Sequence, residues 1–343
     1  MVYKMTKKDF DKLKDAIDES RNIRQITLSQ YMTSINKIFK SVFGEEAKPT
    51  GDQIEWADEH YDEVMDFLDE SGFKDTTVKS YIGALIVALE TMNNKGKYDD
   101  AISEYHEVFD ELRKRVDSNY KKGKKTEKEE TNWTSVAELQ KALRRMKREL
   151  DDREVWKKDR LTKSDFQLLQ KWVVGNLYIG DPENNPPLRL DYAGMEIIDA
   201  PEYRKLDEDE RESKNWLVVY NRNKKKFVLN NYKTSSKYGQ REIEVGKKLN
   251  SVLNVWLKFN GSDYLILNNK GQPMSPNGLG KYISEVFEST GKKVSANILR
   301  HIWITEKFPK KEIDERKDVA DKMLHSVNTQ QNVYTKEDDE NEE

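Results

Sequence analysis

Residues 117–132 read DSNYKKGKKTEKEETN, a run of charged and polar side chains around one glycine, with a tyrosine as its only large ring. A stretch of this composition has too little apolar surface to join a core. The chain must therefore build one core before it and a second after it. A length of 343 residues fits that division, at roughly 100–200 residues per domain. The expected partition is a helical domain over 1–118, a linker over 119–132, a second domain over 133–336 and an acidic tail over 337–343.

The two portions differ in their apolar periodicity. In the first, TLSQYMTSINKIFKSVFG sets Ile35, Ile38, Phe39 and Phe43 on one face, with Thr27 placed to cap the helix and Gly44 to stop it. Further helices are expected over 6–20, 51–71, from Thr76 or Thr77 onward, and 100–117, with no strand among them. In the second portion NWTSVAELQKALRRMKREL and LTKSDFQLLQKWVVGNLYIG are amphipathic helices. Strands are expected only after residue 190: WLVVY and KFVLN flank NRNKK as a hairpin, and REIEV alternates as a third strand. Helices are then expected in SPNGLGKYISEVFEST, SANILRHIWITEKF and KKEIDERKDVADKMLH. The fold class is therefore mainly α: a helical first domain, then an α+β domain with a small antiparallel sheet.

Composition narrows the chemistry. Cysteine is absent, which removes disulfides, thiolate metal sites and thiol catalysis. Four histidines without HxxxH or HExxH spacing argue against a zinc site, so no metal is expected. No GxxxxGK[ST] loop or strand-associated GxGxxG occurs, and no cofactor is expected. No apolar run approaches the ~20 residues of a membrane span, and the N-terminal stretch lacks the apolar region of a signal peptide. An intracellular, non-secreted protein without membrane contact is expected. Charge is unevenly spread. Residues 1–110 hold 14 Lys+Arg against 23 Asp+Glu, whereas 111–334 hold 45 against 34. The basic clusters Arg113-Lys114-Arg115, Lys121-Lys122, Lys124-Lys125 and Arg144-Arg145 are candidate contacts for DNA phosphates.

Four stretches of the second portion carry chemistry. ENNPPLRLDYAGM places Arg189 just past a Pro-Pro turn, at the expected head of a helix. LNNYKTSSKYGQREIEV places Lys233 in the loop between two strands. SANILRHIWITEKF sets Arg300 among Ile298, Leu299, Ile302 and Trp303. A guanidinium in such a helix is costly unless paired, and its alternatives are a buried carboxylate partner or an anionic ligand such as phosphate. The fourth, MLHSVNTQQNVYTK, has His325 nine positions before Tyr334.

Taken in order, Arg189, Lys233, Asn297-x-Leu-Arg300-His, His325 and Tyr334 resemble the tyrosine recombinase (phage integrase) family. The likeness covers roughly residues 130–336, and TLSQYMTSINKIF and TTVKSYIGALIVAL look like helices of that family's core-binding domain, the DNA clamp. KTEKEETNWTSVAEL and NPPLRLDY look similar to the branch found in large DNA viruses and virophages of protists. The resemblance implies a DNA breaking-rejoining fold. It also implies a recombinase that cuts double-stranded DNA through a 3′-phosphotyrosyl intermediate, as a homo-tetramer on paired sites and a monomer or dimer when free.

In that reading Arg189 and Arg300 hold the phosphate, Lys233 is the general acid, His325 donates a further hydrogen bond and Tyr334 is the nucleophile. Two positions depart from the family pattern. Asn297 stands where a histidine is usual, and can donate a hydrogen bond but not shuttle a proton. Tyr192 stands where an acid is frequent, with Asp191 one step early. A type IB topoisomerase-like enzyme, a catalytically degenerate DNA-binding protein of the same fold, and a helical interaction protein unrelated to DNA are the alternatives.

Overall fold

The computed structural model describes residues 10–323, 326 and 327. The chain forms two compact units, 1–124 and 125–343.

The first unit is helical: α1 (Asp11–Ser20), α2 (Gln25–Phe43), α3 (Trp56–Glu59), α4 (Tyr61–Glu70), α5 (Asp75–Met92) and α6 (Asp99–Lys122). Its core gathers the apolar face read from the sequence, with Ile35, Ile38 and Phe39 buried against Trp56, Leu68 and Leu85. The single helix expected over 51–71 is two, interrupted at His60, whose φ of −122° leaves the helical region. The stretch read as a linker is helical at both ends. α6 continues to Lys122, where left-handed Gly123 stops it, and α7 (Glu127–Asn132) starts on a Thr126/Glu129 capping box.

The second unit continues with α8 (Val136–Asp152) and α9 (Lys163–Gly175), the latter extended by a π-helical turn over Asn176–Gly180. Strand β1 (Glu196–Asp199) is followed by two short helices, α10 (Ala200–Lys205) and α11 (Glu208–Glu212). Strands β2 (Trp216–Asn221) and β3 (Lys224–Leu229) form the expected hairpin, and the short helix α12 (Ser235–Tyr238) precedes β4 (Arg241–Glu244). The remaining helices are α13 (Lys247–Phe259), α14 (Pro276–Val286), α15 (Ala296–Lys307) and α16 (Lys310–Lys322).

The three expected strands pair antiparallel, with Leu217 opposite Phe227 and Phe227 opposite Ile243. The sheet gains a fourth strand, because β1 pairs parallel to β2 through Glu196 and Trp216. The crossover through α10 and α11 makes that direction possible, since a tight turn joins only antiparallel neighbours. Side-chain alternation then splits the sheet between two cores. Leu217 and Phe227 face the main core with Tyr178, Tyr192 and Trp256, while Trp216, Val218 and Val228 pack under Ala200 on the other face.

One cation is built into this framework. Lys225 is buried, and its ammonium donates to Arg222 O (3.1 Å), Asn250 Oδ1 (2.9 Å) and Asn254 Oδ1 (2.6 Å). Those three acceptors satisfy all three N–H groups of the lysine, and the two asparagines pin the β2–β3 hairpin to α13. Burial lowers its pKa. No described helix is long and apolar enough to cross a membrane.

Close packing of α8 on α9 depends on Gly175. A Cβ there would collide with Leu143 Cδ2 and press Val286 Cγ1 at 3.3 Å. Gly175→Ala is expected to destabilise the second unit by about 1–3 kcal/mol, as overpacking of a dense core does. A chemical denaturation midpoint equal to wild type would contradict this packing.

Candidate active site

Arg189 is presented by a turn, not by a helix head. Asn185 anchors the approach, with Nδ2 donating to Glu244 O (3.1 Å) and Oδ1 accepting from Gly246 N (2.8 Å). Pro186 and Pro187 then hold the backbone extended. The turn that follows, 191–194, ends at Gly194 with φ +64°, a conformation that favours glycine. Its aspartate explains why no helix starts here. The Arg189 N–H donates to Asp191 Oδ2 (3.2 Å), closing a local turn in place of helical bonding. The Arg189 carbonyl accepts from the Tyr178 hydroxyl (2.6 Å). Tyr178 packs edge-on to Tyr192, and Tyr192 on Phe227, so the turn rests on an aromatic stack continuous with the sheet.

Arg300 comes from α15. Ser295 caps that helix by accepting from Ile298 N (3.3 Å), and Ala296, Ile298, Leu299 and Ile302 are buried along its inner face. Those neighbours draw Arg300 half into the protein. Asn297 lies one turn earlier and is exposed, on the helical face that Arg300 shares at a spacing of three residues.

The charges of Arg189, Asp191 and Arg300 act on one another. The Arg300 guanidinium is pushed below the ordinary arginine range, first by burial and then by the like charge of Arg189, with Asp191 opposing. The Asp191 carboxyl is pushed up by burial, against the pull of the Arg189 N–H and of both guanidinium charges. Among the described residues neither arginine has a carboxylate within 4.0 Å. Among the described residues, two cations and one carboxylate thus act on one another in a half-buried region, and their formal charges sum to a positive value. Guanidinium forks without a carboxylate at contact distance suit a doubly coordinated oxyanion.

Lys233 is exposed in the turn before α12. Its loop is stitched to the Arg189 turn by Asn215, a buried residue with no signal in the sequence. Asn215 Nδ2 donates to Asp191 O (3.0 Å) and Asn231 O (3.0 Å), and its Oδ1 accepts from Asn230 N (3.0 Å) and Asn231 N (2.8 Å). One amide therefore sets the Asp191 backbone against the start of the loop that carries Lys233.

His325 and Tyr334 lie outside the described residues. The basic clusters fall into two kinds. On α6, Arg113 pairs with Asp110 (3.4 Å) and Arg115 with Asp75 (3.3 Å), while Lys122 donates to Asn119 Oδ1 (3.4 Å). Lys114, Lys121 and Lys124 are exposed beside them, and Lys125 sits over the Trp133 ring at 3.9 Å. On α8, Arg144 and Arg145 are exposed and have no carboxylate partner among the described residues. No group of three or more His, Asp or Glu side chains that could hold a metal ion occurs among the described residues.

Asn215→Ala would leave two carbonyls and two N–H groups without their partner. At about 1–3 kcal/mol for an unsatisfied buried group, with partial rescue by water, a loss of about 2–4 kcal/mol in unfolding free energy is expected. Chemical denaturation reads it directly, and a loss under about 0.5 kcal/mol, the range of ordinary surface substitutions, would show that the amide is not the joint.

No family model matches the chain, and no curated protein matches it. Among the solved structures similar to it are two that overlay loosely over almost the whole length of the chain. A crystal structure of a lambda integrase dimer bound to a COC′ core site is 14% identical, with 98% of this chain and 96% of that one covered at a TM-score of 0.43. A crystal structure of XerA recombinase is 14% identical, with 96% of this chain and 94% of that one covered at a TM-score of 0.28.

Proposed function

We propose that this protein is a site-specific DNA recombinase or integrase of the tyrosine type, with a catalytic domain of the DNA breaking-rejoining fold. The observation that carries the reading is that the charges of Arg189 and Arg300 both act on Asp191, with no carboxylate at contact distance of either among the described residues. A phosphodiester needs such a pair, because its transition state carries extra negative charge on the nonbridging oxygens. In this reading the two guanidiniums hold those oxygens, and Asn297 and His325 donate further hydrogen bonds to them.

The nucleophile is Tyr334. A free tyrosine, with a pKa near 10, is only about 0.1% ionised at pH 7, a deficit of about 4 kcal/mol. The cationic site offsets part of that deficit by favouring the phenolate, whose proton passes to solvent. Attack forms the bond from Tyr334 Oη to phosphorus and breaks the bond from phosphorus to the 5′-oxygen. Lys233 gives its proton to the departing oxygen as general acid. The product is a 3′-phosphotyrosyl link and a free 5′-hydroxyl, and reversal by a 5′-hydroxyl of a partner strand completes an exchange. The link conserves the energy of the phosphodiester, so rejoining takes no energy from a nucleotide. Two duplex sites, each exchanged at both strands, imply a homo-tetramer on DNA.

Asn297 favours a second reading, a protein of this fold that binds DNA without cutting it, because asparagine cannot relay a proton. One experiment separates the two. Wild-type protein is incubated with a pool of nicked suicide duplexes of randomised sequence, and covalent adducts are resolved under denaturing conditions. An adduct is expected with wild type and none with Tyr334→Phe. Arg300→Ala is expected to reduce its rate of formation by about 10²–10³, the usual effect of removing one transition-state donor, with an unchanged circular dichroism spectrum. Absence of adduct from the wild type, or its persistence in Tyr334→Phe, would overturn the proposal.

A further inference from the structure

The loop between β3 and β4 is a braced structure. The Tyr232 hydroxyl donates to Gly239 O (2.7 Å) across it, and Gln240 Nε2 donates to Asn230 Oδ1 (2.9 Å) at its base. Asn230 in turn donates to Arg211 O (2.7 Å) and Lys214 O (2.8 Å). Gly239, with φ +63°, supplies the reversal that returns the chain to β4.

The cations around this loop are of two kinds. Lys214 is neutralised by Glu196 (2.9 Å), and Lys226 by Glu242 (3.0 Å) and Glu244 (3.7 Å). Lys233, Lys237 and Arg241 have no carboxylate partner among the described residues. Two of them instead gather on one aromatic ring. Lys237 Nζ stands 5.2 Å and Arg241 Cζ 5.5 Å from the centroid of Tyr238. That ring is 49% exposed, so burial does not account for its position.

We infer that Tyr238 is a positioning residue that pre-orients Lys237 and Arg241 as a second phosphate clamp, for backbone phosphates of duplex DNA flanking the bond that Lys233 serves. The inference rests on the proposed function for the identity of the anion. It adds to that function a contact outside the reacting phosphate. Cations held by a ring on a braced loop lose little freedom on binding, so their contacts are formed at small entropic cost. The ring faces of tyrosine and phenylalanine both attract cations, and the hydroxyl is not required for that attraction.

The test is the salt dependence of binding to a nonspecific duplex, measured by fluorescence anisotropy on the full chain from low to moderate salt. Each phosphate contact contributes a slope of about −0.9 in log affinity against log salt. Lys237→Gln and Arg241→Gln are each expected to make the slope shallower by about 0.9. Tyr238→Ala is expected to make it shallower by about one contact, and Tyr238→Phe to restore the wild-type slope. A residue that merely shaped the loop would not be rescued by phenylalanine while showing a charge-linked slope. If the wild type binds steeply and all four variants keep its slope, the clamp is refuted and the recombinase reading stands on its adduct test. A flat wild-type slope would overturn both.

Discussion

Two like charges held near one another are the constraint around which the second unit is organised. Arg189 and Arg300 come from segments more than a hundred residues apart. Each is fixed by a different device, a turn on an aromatic stack for one and a buried helix face for the other. Left alone they would repel, and burial of Arg300 sharpens the repulsion by removing water. Asp191 offsets part of it at longer range, and its own raised pKa shows that burial outweighs the help it receives from the two cations. A fold that only needed stability would neutralise such a pair by direct contact. In the proposed reading an anion completes this surplus positive charge, and shifted charges of this kind cluster at functional sites.

The surrounding hydrogen bonds keep this arrangement from relaxing. Asn185 holds the approach to Arg189 against the end of β4, Tyr178 holds the Arg189 carbonyl, and Asn215 locks the Asp191 carbonyl to the base of the Lys233 loop. Each partner is a backbone group, so the turn cannot swing away without leaving buried polar atoms unpaired. Lys225 serves the same end farther along the sheet, with its charge spread over three neutral acceptors, two of which tie the hairpin to α13. Lys233 and Lys237 of the β3–β4 loop and Arg241 at the start of β4 have no carboxylate partner among the described residues, while Lys214 and Lys226 are paired.

Much of this was legible from residues alone, and the exceptions have physical causes. Arg300 announced itself because a charge inside the run Ile298, Leu299, Ile302 breaks the apolar pattern of a helix. The hairpin was readable from two β-branched runs around NRNKK. Strand β1 was missed because four residues, EIID, are too few to show alternation. Helix α13 had a readable signal in Leu249, Val252, Leu253 and Trp256, at helical spacing, but went unassigned between stronger elements. The helix expected after Arg189 failed because Asp191 bonds its own backbone and Gly194 turns the chain, two local effects that outweigh apolar spacing. Asn215 could not have been found, since its four bonds reach partners between 15 and 24 residues away. The parts of the site assigned to His325 and Tyr334 lie outside the described residues and rest on their spacing in the sequence.

The central claim is that Arg189 and Arg300 are held together for an anion at the expense of stability. Differential scanning calorimetry of the wild type, Arg189→Gln and Arg300→Gln, each at matched ionic strength with and without inorganic phosphate, tests it most directly. The account predicts that phosphate raises the unfolding temperature of the wild type, that either substitution removes most of that increase, and that without phosphate both variants unfold at or above the wild-type temperature. Variants that unfold well below the wild type in the absence of phosphate, together with a wild type indifferent to phosphate, would show that the arginines are structural partners and would contradict the account.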